Sequence, residues 1–234
     1  MNFKHRTVMV TGAAGNLGQA VAAAFSAQGA QLVLLDRQLD ALQRAYGAAG
    51  PDRLLLATDL LDAAQVAAAQ AAAIARFGRI DVLCNLAGGF RMGEAVHTTS
   101  DSTWDFLLDI NTRTLLNMAR SVVPHMLTHG GGKIVNVGAF AAQKGVAQMG
   151  AYCASKSSVI RLTEAMASEL REQHINVNCV LPTILDTPEN RAAMPDADPA
   201  RWVSTQDLAQ VIMFLASDAA RAVHGAALPV TGLS

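Results

Sequence analysis

Two residues near the middle of the chain have the chemistry and spacing of a proton-transfer pair. Tyr152 and Lys156 lie four apart in YCASK. If the stretch is helical they share one face. An ammonium beside a phenol lowers its pKa and makes it a usable proton donor or acceptor. The strand-like run KIVNV (133–137) leads into Gly138-Ala139, which offers no hydroxyl beside that pair. A second stretch suits phosphate. TVMVTGAAGNLGQAVAAAF places glycines 12, 15 and 18 between a strand pattern and a helix pattern. Gly12 permits a tight turn, Gly18 permits close helix–sheet packing, and backbone N–H groups at the helix start can hold a pyrophosphate. The spacing differs from the usual G-x-G-x-x-G, so position carries the reading. Asp36 ends the next strand pattern, where a carboxylate can accept from an adenosine ribose and repel a 2′-phosphate. Arg37 beside it pulls toward a 2′-phosphate. A strand-end or capping carboxylate is the plainer alternative for Asp36.

These residues need elements to position them. Strand patterns fall at 7–11, 31–36, 53–58, 80–87, 133–137, 175–181 and 227–231. Helix patterns fall between them at 16–28, 38–48, 62–77, 102–129, 151–173 and 205–217. Continuous apolar strands alternating with helices predict an α/β fold: a Rossmann-like, doubly wound parallel sheet of about seven strands with helices on both faces. Neither an internal repeat nor a linker is visible, which predicts a single domain over 1–234. Asp59, Asn85 and Ala87-Gly88-Gly89 then fall at strand C-terminal ends, where such a sheet binds its ligand. The Pro- and Asp-rich stretch 182–203 reads as a substrate-side loop.

Composition excludes several classes. The chain is 51% hydrophobic and 16% charged with a net charge of −1, which suits a globular protein and speaks against disorder. No basic block suggests nucleic acid, no apolar run suggests a membrane span, and the N-terminus shows no signal-peptide pattern. Cys84, Cys153 and Cys179 are not spaced as metal ligands and read as buried free thiols, so no metal is expected and a cytoplasmic, reducing setting is. His125 and His129 read as cations at a helix C-terminus.

Taken in order, TGAAGNLG (11–18), Asp36, Asp59, NLAG (85–88), Asn111, NV (136–137), YCASK (152–156) and LP (181–182) resemble the short-chain dehydrogenase/reductase family. The resemblance implies an NAD cofactor, with NADP possible. Its contacts would be Gly12, Gly15, Asn16, Leu17, Gly18, Asp36, Arg37, Asp59, Leu60, Asn85, Ala87, Gly88, Pro182, Thr183 and Leu185, together with Tyr152 and Lys156. It implies Tyr152 as proton donor, Lys156 as the group that holds the nicotinamide ribose and lowers the Tyr pKa, and Asn111 in a water-linked relay. Two positions depart from the family: Asn16 replaces a common Gly, with Gly15 expected to relax the turn instead, and Ala139 replaces the catalytic Ser. Losing a donor to a developing alkoxide costs roughly 3 kcal/mol or more.

A narrower resemblance, to quinonoid dihydropteridine reductases, rests on LCNLAGGF (83–90), AFAAQKGVAQMGAYCASK (139–156) and LPTILDTPENRAAMPDADPARW (181–202). Those enzymes also lack the Ser, and their C=N substrate forms no alkoxide. The expectation is hydride transfer to a conjugated C=N or quinonoid small molecule, with Phe90, Ala139, Met149 and Thr187 lining the pocket. A general alcohol/ketone oxidoreductase and a non-catalytic dinucleotide-binding sensor or scaffold are the alternatives. The family commonly pairs its long helices, here 102–129 and 151–173, so a homodimer or homotetramer is expected, with Leu115, Leu116, Val122, Val123, Ile160 and Leu162 as apolar cover.

Overall fold

The computed structural model describes residues 1–234. Nine strands form: β1 (Thr7–Thr11), β2 (Gln31–Asp36), β3 (Arg53–Ala57), β4 (Val82–Asn85), β5 (Gly132–Val137), β6 (Ile175–Pro182), β7 (Leu185–Asp186), β8 (Val203–Ser204) and β9 (Ala227–Val230). Eight α-helices join them: α1 (Asn16–Ser26), α2 (Leu39–Tyr46), α3 (Ala63–Phe77), α4 (Asp101–Leu108), α5 (Thr114–Thr128), α6 (Gly150–Leu170), α7 (Pro188–Ala193) and α8 (Thr205–Leu215). Seven strands make one parallel sheet in the order β3-β2-β1-β4-β5-β6-β9. The doubly wound expectation holds. The chain leaves β3 at one edge and returns on the far side of β1 as β4. The crevice between the C-terminal ends of β1 and β4 is therefore the switch point where ligands bind in such sheets.

Strand periodicity sorts side chains between two apolar layers. Val8, Val10, Leu32, Leu34, Val82, Cys84 and Val135 face one way and pack with α1 and α8 residues such as Val21, Phe25, Leu208 and Ile212. Met9, Val33, Leu35, Leu83 and Ile134 face the other way and pack with Val66 of α3 and Met118, Val122 and Met126 of α5. Burying each large side chain contributes roughly 1.5–3 kcal/mol, so these layers hold the strand ends in register.

Three expectations change. The long helix predicted over 102–129 is broken by a π turn at Asp109–Arg113 between α4 and α5. The apolar pattern does not reveal this, because one extra residue per turn leaves hydrophobic content unchanged. The strand expected at 80–87 is only Val82–Asn85, since Leu86 and Ala87 turn away to bond Thr11. The 182–203 stretch is ordered: β7 and β8 pair parallel, with α7 and a 3-10 turn (Pro199–Arg201) between them. Of the six residues expected to form an outer apolar cover, Leu115, Val122 and Ile160 are buried in the chain's own core. Leu116, Val123 and Leu162 remain half-buried. No helix is long and apolar enough to cross a membrane.

Candidate active site

The Gly-rich turn closes β1 onto α1. Gly12 has φ +63°, and a Cβ there would lie 3.0 Å from the Ala87 Cα across the switch point. A Cβ on Gly18 would lie 2.3 Å from the Gly12 carbonyl oxygen. Gly15, at φ −72°, does not relax the turn through a left-handed conformation; Gly12 takes that role. The turn is pinned from outside. The Asp36 carboxylate accepts from Ala14 N–H (3.0 Å) and the Tyr46 hydroxyl donates to Ala13 C=O (2.6 Å). Thr11 Oγ1 accepts from Leu86 N–H (3.0 Å) and Ala87 N–H (3.1 Å), fixing the opposite lip. No side chain caps the α1 N-terminus, so its first N–H groups, from Asn16, Leu17 and Gly18, are left to a ligand. A turn that lacks a Cβ at Gly12 and Gly18, where one would clash, and that ends in uncapped amides fits a pyrophosphate.

Asp36 and Asp59 stand at the ends of β2 and just beyond β3. Asp36 Oδ1 also accepts from Arg37 N–H (2.8 Å), and Asp59 accepts from Leu61 N–H (2.9 Å). Both readings of Asp36 therefore meet in one group: it anchors the turn, and each oxygen keeps a lone pair for a ribose hydroxyl. Arg37 is exposed and forms no ion pair. Leu60 is buried, and its carbonyl accepts from Asn117 Nδ2 (2.9 Å), which fixes the Asp59-Leu60 corner.

The reactive end forms where β4, β5 and α6 converge. The π turn carries Asn111 inward to 2% exposure. Its Oδ1 accepts from Gly89 N–H (3.0 Å), while its Nδ2 faces both the Gly89 carbonyl (3.0 Å) and Ser155 Oγ (3.0 Å). Ser155 Oγ donates to the Tyr152 carbonyl (2.9 Å). Asn111 thus fixes the Gly88-Gly89 loop to α6. Gly88 must lack a side chain, because a Cβ would sit 2.9 Å from Asn111 Oδ1 and 3.1 Å from Lys156 Nζ.

Lys156 and Tyr152 share one face of α6, as expected from their spacing. Lys156 is buried and donates to the Val137 carbonyl (2.8 Å); burial brings its ammonium down to about 8. The Tyr152 phenol is pushed up to about 12, chiefly by burial. The expected lowering of the phenol by Lys156 is not present in this state: the ammonium is engaged with the backbone, and desolvation dominates. Phe90 meets the Tyr152 ring edge-on, centroids 4.9 Å apart, and is 55% exposed, so it forms a wall open to solvent. Met149 precedes α6 and, with Tyr152, lines a cavity of about 280 Å³. Gln148 beside it holds φ +61°, a strained value for a residue with a side chain. Ala139 is 5% exposed in a cluster with Leu115, Ile160 and Cys179. Its methyl supplies no donor.

Pro182 ends β6, and Thr183 Oγ1 donates to the Thr231 carbonyl (2.9 Å). The Leu185 carbonyl accepts from Asn190 Nδ2 (2.8 Å), and Thr187 caps α7. Of the further contributors, Glu189 is not among the expected site residues, whereas Asn85 is expected as a cofactor contact and Asn136 only as part of the NV motif. Glu189 of α7 accepts from Asn16 Nδ2 (2.8 Å), tying the ordered 182–203 segment to the Gly-rich turn. Asn85 Nδ2 donates to Asn136 (2.9 Å), whose Nδ2 donates to Thr163 (2.9 Å). Asn85 Oδ1 is buried without a partner, an unmet acceptor at the rim of the crevice. Asn136 had two signals, the NV motif (136–137) and its place as a polar residue inside the apolar run KIVNV; Glu189 had none.

The short chain dehydrogenase model matches residues 6–198, and the chain belongs to that family. It is an NAD(P)-dependent oxidoreductase of the short-chain type. D-threitol dehydrogenase of Mycolicibacterium smegmatis is 35% identical, over 97% of this chain and 92% of that protein. The 3-ketoacyl-(acyl-carrier-protein) reductase of Brucella melitensis, solved with NADH, superposes with TM-score 0.88 at 29% identity, covering 98% of each chain. Carveol dehydrogenase of Mycobacterium avium, solved with NAD, superposes with TM-score 0.86 at 26% identity, covering 98% of this chain and 97% of that one. These names do not support the narrower resemblance to dihydropteridine reductases, which rests on this chain's residues alone.

Proposed function

We propose that this chain is an NADH-dependent reductase whose acceptor needs one proton donor, Tyr152, and no second donor to an alkoxide. The observation that carries the substrate class is Ala139: a buried methyl occupies the position of the family Ser. Bound NADH supplies the hydride. The Gly12–Gly18 turn and the α1 amides hold the pyrophosphate. Asp36 favours free ribose hydroxyls over a 2′-phosphate, in keeping with the NAD and NADH in the two solved relatives. Lys156 turns from the Val137 carbonyl toward the nicotinamide ribose, and Asn111 keeps the Gly88-Gly89 loop clear of it. Tyr152, neutral at pH 7 because its pKa lies near 12, hands its proton to the reduced atom.

A conjugated C=N or quinonoid acceptor suits this set, because nitrogen takes the proton and no oxyanion builds up. Phe90 and Met149 flank a flat ring, and the segment holding Thr187 closes over it. A second reading, a general alcohol or ketone oxidoreductase, is favoured by the polyol and ketoacyl names among the relatives. The deciding assay compares NADH with NADPH on quinonoid dihydropterin, cyclic imines, simple ketones and polyols. The first reading predicts C=N turnover well above ketone turnover, with NADH preferred. Strong ketone or polyol turnover and none with C=N acceptors refutes it. The reading includes a homodimer or homotetramer through α4–α6, where Trp104 and Phe106 stay exposed and Leu116 half-buried. A monomer mass in solution refutes that part.

A further inference from the structure

We propose a second ligand site, for a small multiply charged anion such as a linear polyphosphate, at the N-terminal edge of the sheet, opposite the nucleotide crevice. A cavity of about 530 Å³ opens there beneath the starts of β4, β5 and β6. That volume lies within the roughly 300–1,000 Å³ of small-molecule sites. Five basic side chains line it, Arg6, Arg79, Lys133, Arg171 and Arg221, against two carboxylates, Asp81 and Asp218. The excess is 5 − 2 = +3 in a chain whose net charge is −1. A cavity whose wall carries a net excess of positive charge attracts an anion.

The carboxylates are already committed. Asp81 takes Arg79 (2.7 Å) and Arg6 (3.3 Å), and Asp218 takes Arg6 (3.7 Å). Lys133, Arg171 and Arg221 have no carboxylate partner. Lys133 is the most telling of the three. It is half-buried and aligned by a 2.6 Å bond to Asn176, itself 4% exposed. A half-buried ammonium with no carboxylate within ion-pair distance, and only Asp218 acting on it from farther off, is poorly compensated, and a bound anion relieves that cost. His224 lines the cavity too: its Nε2 lies 3.2 Å from the Asn176 amide nitrogen, and its Nδ1 is buried without a partner. Gly130, Gly131 and Gly132 line the cavity, and the side-chain position at Gly130 is open space. The site does not depend on the reading of the catalytic end.

The test is calorimetric titration of the purified protein with inorganic tripolyphosphate, with and without saturating NADH, and with sulfate at matched ionic strength as the control. The expected result is saturable binding that persists with NADH bound and exceeds sulfate binding. Arg221→Gln and Lys133→Gln each weaken it at least tenfold, and Arg44→Gln, an exposed residue of α2 outside the cavity lining, leaves it unchanged. Arg221 is exposed, so its variant remains informative if Lys133→Gln fails to fold. Absence of saturable binding, its disappearance with NADH, or unchanged affinity in Arg221→Gln overturns the proposal.

Discussion

Gly18→Ala perturbs the pyrophosphate cradle by sterics alone, removing no polar group. The new Cβ would stand 2.3 Å from the Gly12 oxygen and 2.7 Å from both Cα and O of Ala13, against ordinary contact from 3.4 Å. Relief therefore requires about 3.4 − 2.3 = 1.1 Å of movement. The turn has nowhere to go, held by Asp36, Tyr46 and its approach to Ala87. Overpacking of this kind costs about 1–3 kcal/mol, and the better helix propensity of Ala returns at most about 1. Net destabilisation of about 1–2 kcal/mol is expected, read as a lower urea midpoint. A shift near 1 Å also takes the α1 amides out of hydrogen-bond range of a phosphate. Losing two such bonds, at roughly 1.5 kcal/mol each, weakens NADH binding about 10²-fold. Gly15→Ala is the matched control: its Cβ meets only the Gly12 oxygen, at 3.4 Å, and its φ of −72° suits any residue. Fluorescence titration with NADH should show the loss in Gly18→Ala and at most a few-fold change in Gly15→Ala. If Gly18→Ala binds NADH within threefold of the parent, the turn is not the pyrophosphate cradle.

Ala139→Ser restores a donor beside Tyr152 and should raise ketone turnover by about 10²-fold, the kinetic equivalent of roughly 3 kcal/mol, while leaving C=N turnover within a few-fold; equal change on both classes sinks the alkoxide argument. Lys156 gives a pH signature. Its folded pKa of about 8 lies below its unfolded 10.5, so between pH 8 and 10.5 the unfolded chain holds more protons and this group's contribution to stability rises with pH. Urea unfolding should show the parent gaining about 2 kcal/mol over Lys156→Met between pH 7.5 and 9.5, and parallel profiles would contradict a buried ammonium. Asn16→Ala cuts the bond to Glu189 and should speed NADH release in stopped flow with little effect on urea midpoint; an unchanged off-rate removes that bond from cofactor retention.

The sheet was legible because its strands are buried on both faces. QLVLLD and INVNCVL are apolar runs too short for helices, and the glycines punctuate them where the chain reverses. The catalytic spacing was legible for the same reason: one helical turn maps directly onto YCASK. What escaped was set by tertiary contact. The π turn around Asn111 follows from the fit of that side chain between Gly89 and Ser155, and no local pattern encodes it. The order of 182–203 depends on a two-residue strand pair and on Glu189 reaching Asn16, far away in sequence. The Tyr152 pKa departs from the expectation because spacing reports proximity to Lys156, whereas burial raises the phenol and the ammonium is engaged with the Val137 carbonyl.

The most direct trial of the central claim is Tyr152→Phe, measured as single-turnover oxidation of bound NADH together with NADH affinity. Removing an acid catalyst lowers the chemical step by about 10²–10⁴-fold, and the account predicts that loss with NADH affinity within twofold of the parent. Undiminished turnover in the variant would mean that the proton comes from elsewhere, and the assignment of this site would be wrong.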